Sequence, residues 1–359
     1  MPRLLYTYLL RHLSMTWLAV VGVLLTVLTL GQVPQVLVRA AANEISADMI
    51  GRVIWWMTLA NAPVILPFGT LLAVVLTMGR FGNDSELTAM RAVGMSPAKL
   101  LVPVVLLAAP ITAMQGAIAL HYAPTALCSA IKIRAQAVRT LALAPVRAGK
   151  FQPFGRDGTL LVDDVTEDGE LRNIFATVGE KGVAQVMTAA RGRIEADLAN
   201  DRLQLRLFDG RRYEGIPGQG KFRIISFGEY AGWFALPSTV SECKRADTLN
   251  TTQLLGSTAP KDRAELHARF GFIAMMIVLS LMAAPLAVIR PREGRYARLP
   301  GAVALSLVYL MATIGLTTWS ARRPDIGPAA YWTLHAVMLV TAVLMIVRQQ
   351  RGSLRFSSP

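Results

Sequence analysis

The sequence predicts an α + β membrane protein, in which three transmembrane helices precede an inserted β domain and three follow it. Six apolar runs carry no Asp, Glu, Lys or Arg, and each is about as long as the roughly 20 residues that a spanning helix needs. They are 13–38, 53–79, 100–120, 271–289, 301–320 and 329–347. The composition agrees, because 53% of the 359 residues are hydrophobic and the mean hydropathy is +0.43. Between the third and fourth runs, apolar residues alternate with polar ones, which predicts strands.

The inserted segment predicts a helical stalk followed by an antiparallel β domain. Residues 123–147 favour helix, show one apolar face and continue the third span. Turns rich in Gly, Asp and Asn then separate short strand candidates at 150–154, 158–165, 174–180, 184–198, 201–210, 211–215 and 221–230. Successive strands without long helices between them predict a β sandwich, jelly roll or barrel and exclude a doubly wound nucleotide-binding domain. A polar linker, 238–265, leads to the fourth span.

The strand candidate 201–210 leaves three alternatives open. Its residues Leu203, Leu205 and Leu207 share one face, which must be covered. The cover is the domain's own core, an acyl chain in an apolar groove, or a partner that extends an open edge strand. The predicted domains are 1–122 with helices 1–3, 123–262 with the stalk, β domain and linker, and 263–359 with helices 4–6 and the C-terminal tail.

Basic residues predict the orientation in the membrane. The first run is long and follows Arg3 and Arg11, so we expect a retained anchor with a cytoplasmic N-terminus. The short loops on the opposite side then hold few basic residues, namely Arg39, Arg52, Arg322 and Arg323. This bias predicts that residues 83–94, the loop 290–298 and the C-terminus are cytoplasmic and that the β domain lies outside. The net charge of +14 thus reports orientation, and nucleic acid is not an expected partner.

A short polar helix is predicted between the second and third spans, at 83–94 (NDSELTAMRAVG). We expect Asn83 to cap it, Glu86 to complete a capping box and Gly94 to end it. Such complete capping is typical of a helix that binds a partner, and it is equally typical of a connecting helix on the membrane surface.

The two faces of this predicted helix differ in chemistry. Leu87 and Met90 share an apolar face, whereas Asp84, Glu86 and Arg91 remain polar. An amphipathic helix of this kind is suited to docking against another protein.

Two arginines border the outer ends of the first two spans. Arg39 follows the first span, and Arg52 opens the second. They are either anchors that snorkel to the membrane surface or guanidinium groups that bind the phosphates of a lipid in the bundle.

No catalytic, metal or cofactor site is predicted. The sequence contains no GxxxxGK[ST] phosphate-binding loop, no GxSxG elbow and no HExxH helix, so the protein is not expected to be an enzyme and any energy must come from a partner. The predicted spans hold no Asp, Glu, Lys or Arg for ion coupling, which disfavours a secondary transporter. Cys128 and Cys243 are able to form one disulfide outside the cytoplasm, but their spacing does not show whether they pair.

Three stretches in order carry a family resemblance: SELTAMRAVGMSP after the second span, RAELHARF entering the fourth and PLAVIRPREGR leaving it. With the three-plus-three layout, they resemble the lipopolysaccharide export permeases of the LptF/LptG (YjgP/YjgQ) type over nearly the whole chain. The last two stretches are more similar to the F-type subunit than to the G-type.

The resemblance implies a periplasmic β-jellyroll and a place in the inner membrane of a Gram-negative bacterium. It implies transport of lipopolysaccharide together with an LptG-type sibling permease, an LptB-type ATPase dimer that uses the ATP, and an LptC-type periplasmic bridge protein. Glu86 would be the carboxylate that meets the ATPase, with Asp84, Met90 and Arg91 on or near the same contact.

At the outer end, the resemblance implies that Arg39 faces lipid phosphate at the mouth of a cavity, and Arg52 is the second candidate there. Family members often have further basic residues around that mouth, but the residue a turn before Arg39 is the apolar Val36. The phosphate clamp is therefore expected to be weaker in this chain.

Two other functions fit parts of the pattern. One is a six-span envelope scaffold that presents a periplasmic β domain without transporting anything. The other is a lipoprotein-release permease, although such proteins typically place the large domain after the first span and here it follows the third.

Overall fold

The computed structural model describes residues 2–41, 47–92, 95–142, 146, 148–154, 158–166, 168–180, 183–197, 202–215, 222–235, 243–287, 294 and 296–355. Within these ranges, six helices are long and apolar enough to cross a membrane: Leu4–Val38, Ile50–Asn83, Lys99–Gln136, Pro260–Leu286, Leu299–Arg322 and Gly327–Arg351. An antiparallel sheet is inserted between the third and the fourth of them. The predicted fold class is confirmed.

The first three spans and their continuation are formed by α1 (Pro2–Ala41), α2 (Ile50–Asn83), the short α3 (Glu86–Ala92), α4 (Pro97–Ala117), a π-helical turn (Ile118–Tyr122) and α5 (Ala123–Ala142). A 3-10 turn, Ala47–Met49, precedes α2. The predicted helical continuation of the third span is thus present as α5. After the sheet follow a 3-10 turn (Ala246–Thr248), α6 (Thr251–Gly256), α7 (Pro260–Leu286), α8 (Leu299–Arg322) and α9 (Gly327–Arg355).

The chain divides into two compact units. The first comprises Met1–Leu37, Gly51–Ala130 and Lys244–Pro359, and it contains the spanning helices. The second comprises Val38–Ile50 and Ile131–Cys243, and it contains the sheet.

The core of the helical unit is centred on α7, which packs against α4, α8 and α9. Side chains that are at most 2% exposed include Leu71, Phe81, Met275, Leu279 and Tyr309. They belong to one cluster that joins residues of α1, α2, α4, α7, α8 and α9. The half of α2 that ends at Asn83 is therefore held tightly by the bundle.

A buried amide compensates for a proline in α2. Pro67 has no N–H, so the carbonyl of Pro63 lacks its normal partner one turn later. The Nε2 atom of Gln115 in α4 donates to that carbonyl at 3.2 Å and to the carbonyl of Phe272 in α7 at 2.8 Å. One fully buried side chain thereby links the second, third and fourth spans.

The second unit contains a six-stranded antiparallel sheet in the order β1-β2-β3-β4-β5-β6. The strands are Gln152–Phe154, Gly158–Val165, Leu171–Glu180, Val183–Asp197, Arg202–Gly215 and Phe222–Ala235. Two predicted strands, 201–210 and 211–215, are merged in β5, which pairs with β4 and β6 along its length. Leu203, Leu205 and Leu207 are at most 1% exposed and pack with buried residues such as Met187. The core alternative for that face is therefore the one that the structure supports.

Candidate functional site

The polar segment between the second and third spans contains a turn and the short helix α3. The second span continues to Asn83, Ser85 has a φ of 60°, and α3 begins at Glu86. The Ala89 amide donates to the Ser85 carbonyl at 3.0 Å, which places Ser85 directly before the helix. The predicted capping box is wrong, because an N-cap residue is extended whereas Asn83 is still helical. The described helix ends at Ala92, and the predicted stop, Gly94, lies outside the described residues.

The apolar face of α3 is turned into the bundle. Leu87 packs against the helical core, and Met90 is only 7% exposed. Met95, which follows the helix, is 8% exposed, and its amide donates to the Met90 carbonyl at 3.1 Å. Met90 is therefore a core residue of this chain, and little of its side chain is left for a partner. Of the described side chains of α3, those of Thr88, Ala89 and Ala92 are exposed.

The polar start of this helix carries two carboxylates. Asp84 is exposed and forms an ion pair with Arg80 at 3.4 Å, but both side chains are about half exposed, so the pair contributes little to stability. Glu86 is partly buried and occupies the first turn of α3, where the helix dipole favours negative charge. The side chain of Arg91 lies outside the described residues. The structure thus brings Asp84 and Glu86 to the same end of α3.

Glu86 is tied to the first helix by a tyrosine. The hydroxyl of Tyr8 donates to Oε2 of Glu86 at 3.0 Å. The Tyr8 ring is stacked on Phe81, with centroids 5.8 Å apart, and meets the edge of His12 at 4.5 Å. The starts of α1 and α3 and the end of α2 are therefore joined around one carboxylate.

Sequence reasoning missed Tyr8. It lies 78 positions from Glu86, and a Tyr close to the start of a span is usually an aromatic anchor at the membrane surface. One signal was available: Tyr8 precedes the first predicted span, and the N-terminus and the polar helix were predicted to lie on the same side of the membrane.

The two arginines predicted at the outer ends lie at the ends of consecutive helices. Arg39 is in the last turn of α1, and its side chain lies outside the described residues. Arg52 is near the start of α2 and is exposed. Their roles as anchors or phosphate ligands stay predictions.

A buried arginine holds the linker that precedes the fourth span. The helix α7 begins at Pro260, well before the predicted apolar run, and therefore includes Arg269, which is 4% exposed. Its guanidinium donates to Oε1 of Glu265 and to Oγ1 of Thr251, both at 3.0 Å. It also donates to backbone carbonyls, those of Leu249 at 2.9 Å, Asp247 at 3.3 Å and Ala246 at 3.4 Å.

The same linker is bonded to the third span, because the Thr251 hydroxyl donates to the carbonyl of Leu120 in the π-helical turn. The segment that was predicted as a plain polar linker therefore contains a 3-10 turn and α6, both anchored to the helical unit. The missed signal was Arg269 itself, four residues after Glu265 in RAELHARF. Hydropathy predicted where the membrane run begins, but it did not predict where the helix begins.

The described residues contain no group of three or more His, Cys, Asp or Glu side chains that could hold a metal ion. Cys128 and Cys243 are both disulfide-bonded.

Comparison with known proteins identifies the family. The family described as lipopolysaccharide export system permease LptF/LptG matches residues 7–348. The lipopolysaccharide export system permease protein LptF of Escherichia coli (strain K12) is 25% identical over 343 residues, covering 94% of this chain and 93% of the relative. The protein of the same name from Shigella flexneri matches with the same identity and coverage. A match over nearly the whole chain, with six spans around an inserted sheet, shows that the chain belongs to the LptF/LptG family of lipopolysaccharide export permeases, multi-pass proteins of the inner membrane.

Proposed function

We propose that this chain is a permease subunit that extracts lipopolysaccharide from the inner membrane and passes it to a periplasmic bridge leading to the outer membrane. The family and the relatives are described as lipopolysaccharide export permeases. One observation carries the mechanism: α3 buries Met90 in the bundle core and leaves Glu86 only partly buried at its first turn. A helix anchored in this way is able to receive a force from outside and pass it to the spans.

The energy comes from a separate ATPase dimer of the LptB type. The sequence contains no phosphate-binding loop that could bind ATP in the usual way, so no cofactor is assigned to this subunit. Glu86 accepts a charge-assisted hydrogen bond from a cationic side chain of the ATPase. Asp84 and Arg91 lie beside this contact, and Met90 anchors the helix in the core of the bundle.

The core packing supplies a route from α3 to the spans. Met90 belongs to the same buried cluster as Phe81 at the end of α2 and Leu100 at the start of α4. Because protein cores are close-packed, a displacement of α3 has to move these neighbours as well. Gln115 then couples α4 to α2 and α7 farther along the helices. ATP binding and hydrolysis in the partner thereby close the cavity that holds the lipid.

The end of the helical bundle that takes up the lipid faces the periplasm. In this proposal the basic residues around 83–94 and at both chain ends are cytoplasmic, and the β-jellyroll is periplasmic. An LptG-type sibling permease completes the cavity, Arg39 and Arg52 meet lipid phosphates at its mouth, and the β domain passes acyl chains to an LptC-type bridge protein.

A charge reversal tests the coupling role of Glu86. The complex would be purified with its own sibling and ATPase, reconstituted in proteoliposomes containing lipopolysaccharide, and assayed for ATP hydrolysis and for lipid release to the bridge protein. Glu86→Lys should leave assembly intact and lower lipid release per ATP by about tenfold or more, because a hydrogen-bonded charge pair is lost. The control is Asp325→Lys, the same charge change at an exposed turn between α8 and α9. Normal release by Glu86→Lys would contradict the assignment, and purification without any ATPase would favour the scaffold alternative.

A further inference from the structure

We propose that Tyr8 is a positioning residue for this coupling step: its hydroxyl holds the Glu86 carboxylate in the orientation that meets the ATPase. The inference rests on the proposed function, because it gives Tyr8 a role only through Glu86. It extends the coupling site from α3 to the first helix, which sequence reasoning did not connect with it.

The hydrogen bond leaves the carboxylate free to bind a partner. Oε2 accepts the Tyr8 hydroxyl at 3.0 Å, and within the described part of the chain Glu86 makes no other side-chain hydrogen bond and no ion pair. An ionised carboxylate offers about four lone-pair positions, so one hydroxyl uses about a quarter of them. As far as the described residues are concerned, Oε1 and the second lone pair of Oε2 remain for a cation, including the two-pronged bond that an arginine makes.

The Tyr8 side chain is 37% exposed, and its ring is held by two aromatic neighbours. It is stacked on Phe81, which is fully buried, and His12 packs edge-on against both rings, at 4.5 Å from Tyr8 and 5.6 Å from Phe81. Leu9 and Leu13, on the same end of α1, are fully buried in the helical core. These contacts restrain the position of the Tyr8 hydroxyl, and the carboxylate that it binds loses rotational freedom before any partner arrives.

The hydrogen bond between Tyr8 and Glu86 also joins the first span to α3, the helix that the ATPase displaces. Packing already connects α3 to α2 and α4, but α1 has few buried residues along its length, with 11% of its most apolar stretch buried. Tyr8 gives α3 a direct polar contact with this helix. A displacement of Glu86 by the ATPase is therefore transmitted to the start of α1 as well as to the second and third spans.

The test removes only one oxygen atom. Tyr8→Phe keeps the ring and its stacking on Phe81 but takes away the donor. The matched control is Tyr6→Phe, which deletes the same atom from a tyrosine that packs against the core two residues earlier. In the reconstituted complex, Tyr8→Phe should lower lipid release per ATP by about fivefold, the size of effect that one hydrogen bond produces. Tyr6→Phe should match the parent.

A double mutant separates a role through Glu86 from a general effect on packing. In a Glu86→Ala background, where the acceptor is gone and coupling is already impaired, adding Tyr8→Phe should cause no further loss. Equal release by Tyr8→Phe and the parent would overturn the inference, and so would a full additional fivefold loss in the Glu86→Ala background. If Glu86→Ala alone leaves release unchanged, the proposed coupling role of Glu86 fails, and the role of Tyr8 fails with it. Both roles are supported if Tyr8→Phe and Glu86→Ala each lower release and the double mutant is no worse than Glu86→Ala.

Discussion

The hydroxyl of Tyr331 in α9 lies where a Cβ atom on Gly271 in α7 would be. Tyr331 is fully buried, so its ring has no free space into which it could move. Gly271 is therefore the residue that lets these two spanning helices approach each other closely. Small residues have this role at many contacts between membrane helices, where close van der Waals packing replaces the hydrophobic effect as the source of association.

We predict that Gly271→Ala destabilises the helical unit by about 1–3 kcal/mol, the usual cost of forcing extra atoms into a packed core. Thermal unfolding of the purified complex in detergent would measure this. Gly315→Ala in α8 is the control, because a Cβ there meets no atom within 4 Å. Adding Tyr331→Phe should recover part of the loss, since it removes the nearest obstructing atom. A Gly271→Ala variant as stable as the parent would show that the helices separate at little cost.

The link between Gln115 and Pro63 gives a second prediction. Gln115→Leu leaves the Pro63 carbonyl buried without a donor, which should cost about 1–3 kcal/mol. Adding Pro67→Ala supplies a backbone N–H to the same carbonyl and should restore part of the lost stability. Asn61→Leu is the control, because Asn61 is exposed and bonds to a carbonyl of its own helix, that of Met57. Unfolding temperatures of the three variants and the parent would decide, and no recovery in the double mutant would contradict this explanation.

The fold was largely predictable because membrane spans and strands have strong periodic signals. Charge-free runs located the six spans, and alternation located most strands of the sheet. Helix ends were predicted less well, since hydropathy reports what lies in the membrane, whereas α7 continues outward through polar residues to Pro260. The sequence also did not predict that two strand candidates form the single strand β5. The stretch between them contains a Gly and therefore resembles a turn unless the neighbouring strands are known.

The site was predictable only where the chemistry is local. The order of acidic and apolar residues predicted a short amphipathic helix at 83–94. It could not show that α2 continues to Asn83, so that α3 begins only at Glu86. It also could not show that Met90 faces inward, because an apolar face looks the same whether it is covered by a partner or by its own bundle. Contacts between distant segments, such as those of Tyr8 and Arg269, depend on packing that no local pattern contains.

Arg269 gives a third prediction. Arg269→Lys should release the linker, because a single ammonium group cannot reach the acceptors on Glu265, Thr251 and the backbone that the guanidinium reaches together. Hydrogen exchange at residues 246–256 should become faster by about tenfold or more, as local opening costs less. Arg263→Lys is the matched control, because Arg263 is exposed on the same helix. Unchanged protection in Arg269→Lys would mean that packing alone holds the linker.

The last prediction concerns the outer end of the first span and separates the two roles left open for Arg39. If its guanidinium binds lipid phosphate, Arg39→Glu should weaken capture of lipopolysaccharide by about tenfold, because a charge-assisted bond is replaced by repulsion. A photo-crosslinking residue at the exposed position Leu37 would measure capture in the reconstituted complex. Arg322→Glu reverses a charge predicted on the same side of the membrane, at the end of α8. Equal crosslinking in the Arg39→Glu variant and the parent would show that Arg39 only anchors the helix, whereas a loss in both variants would indicate a general effect of surface charge on the lipid.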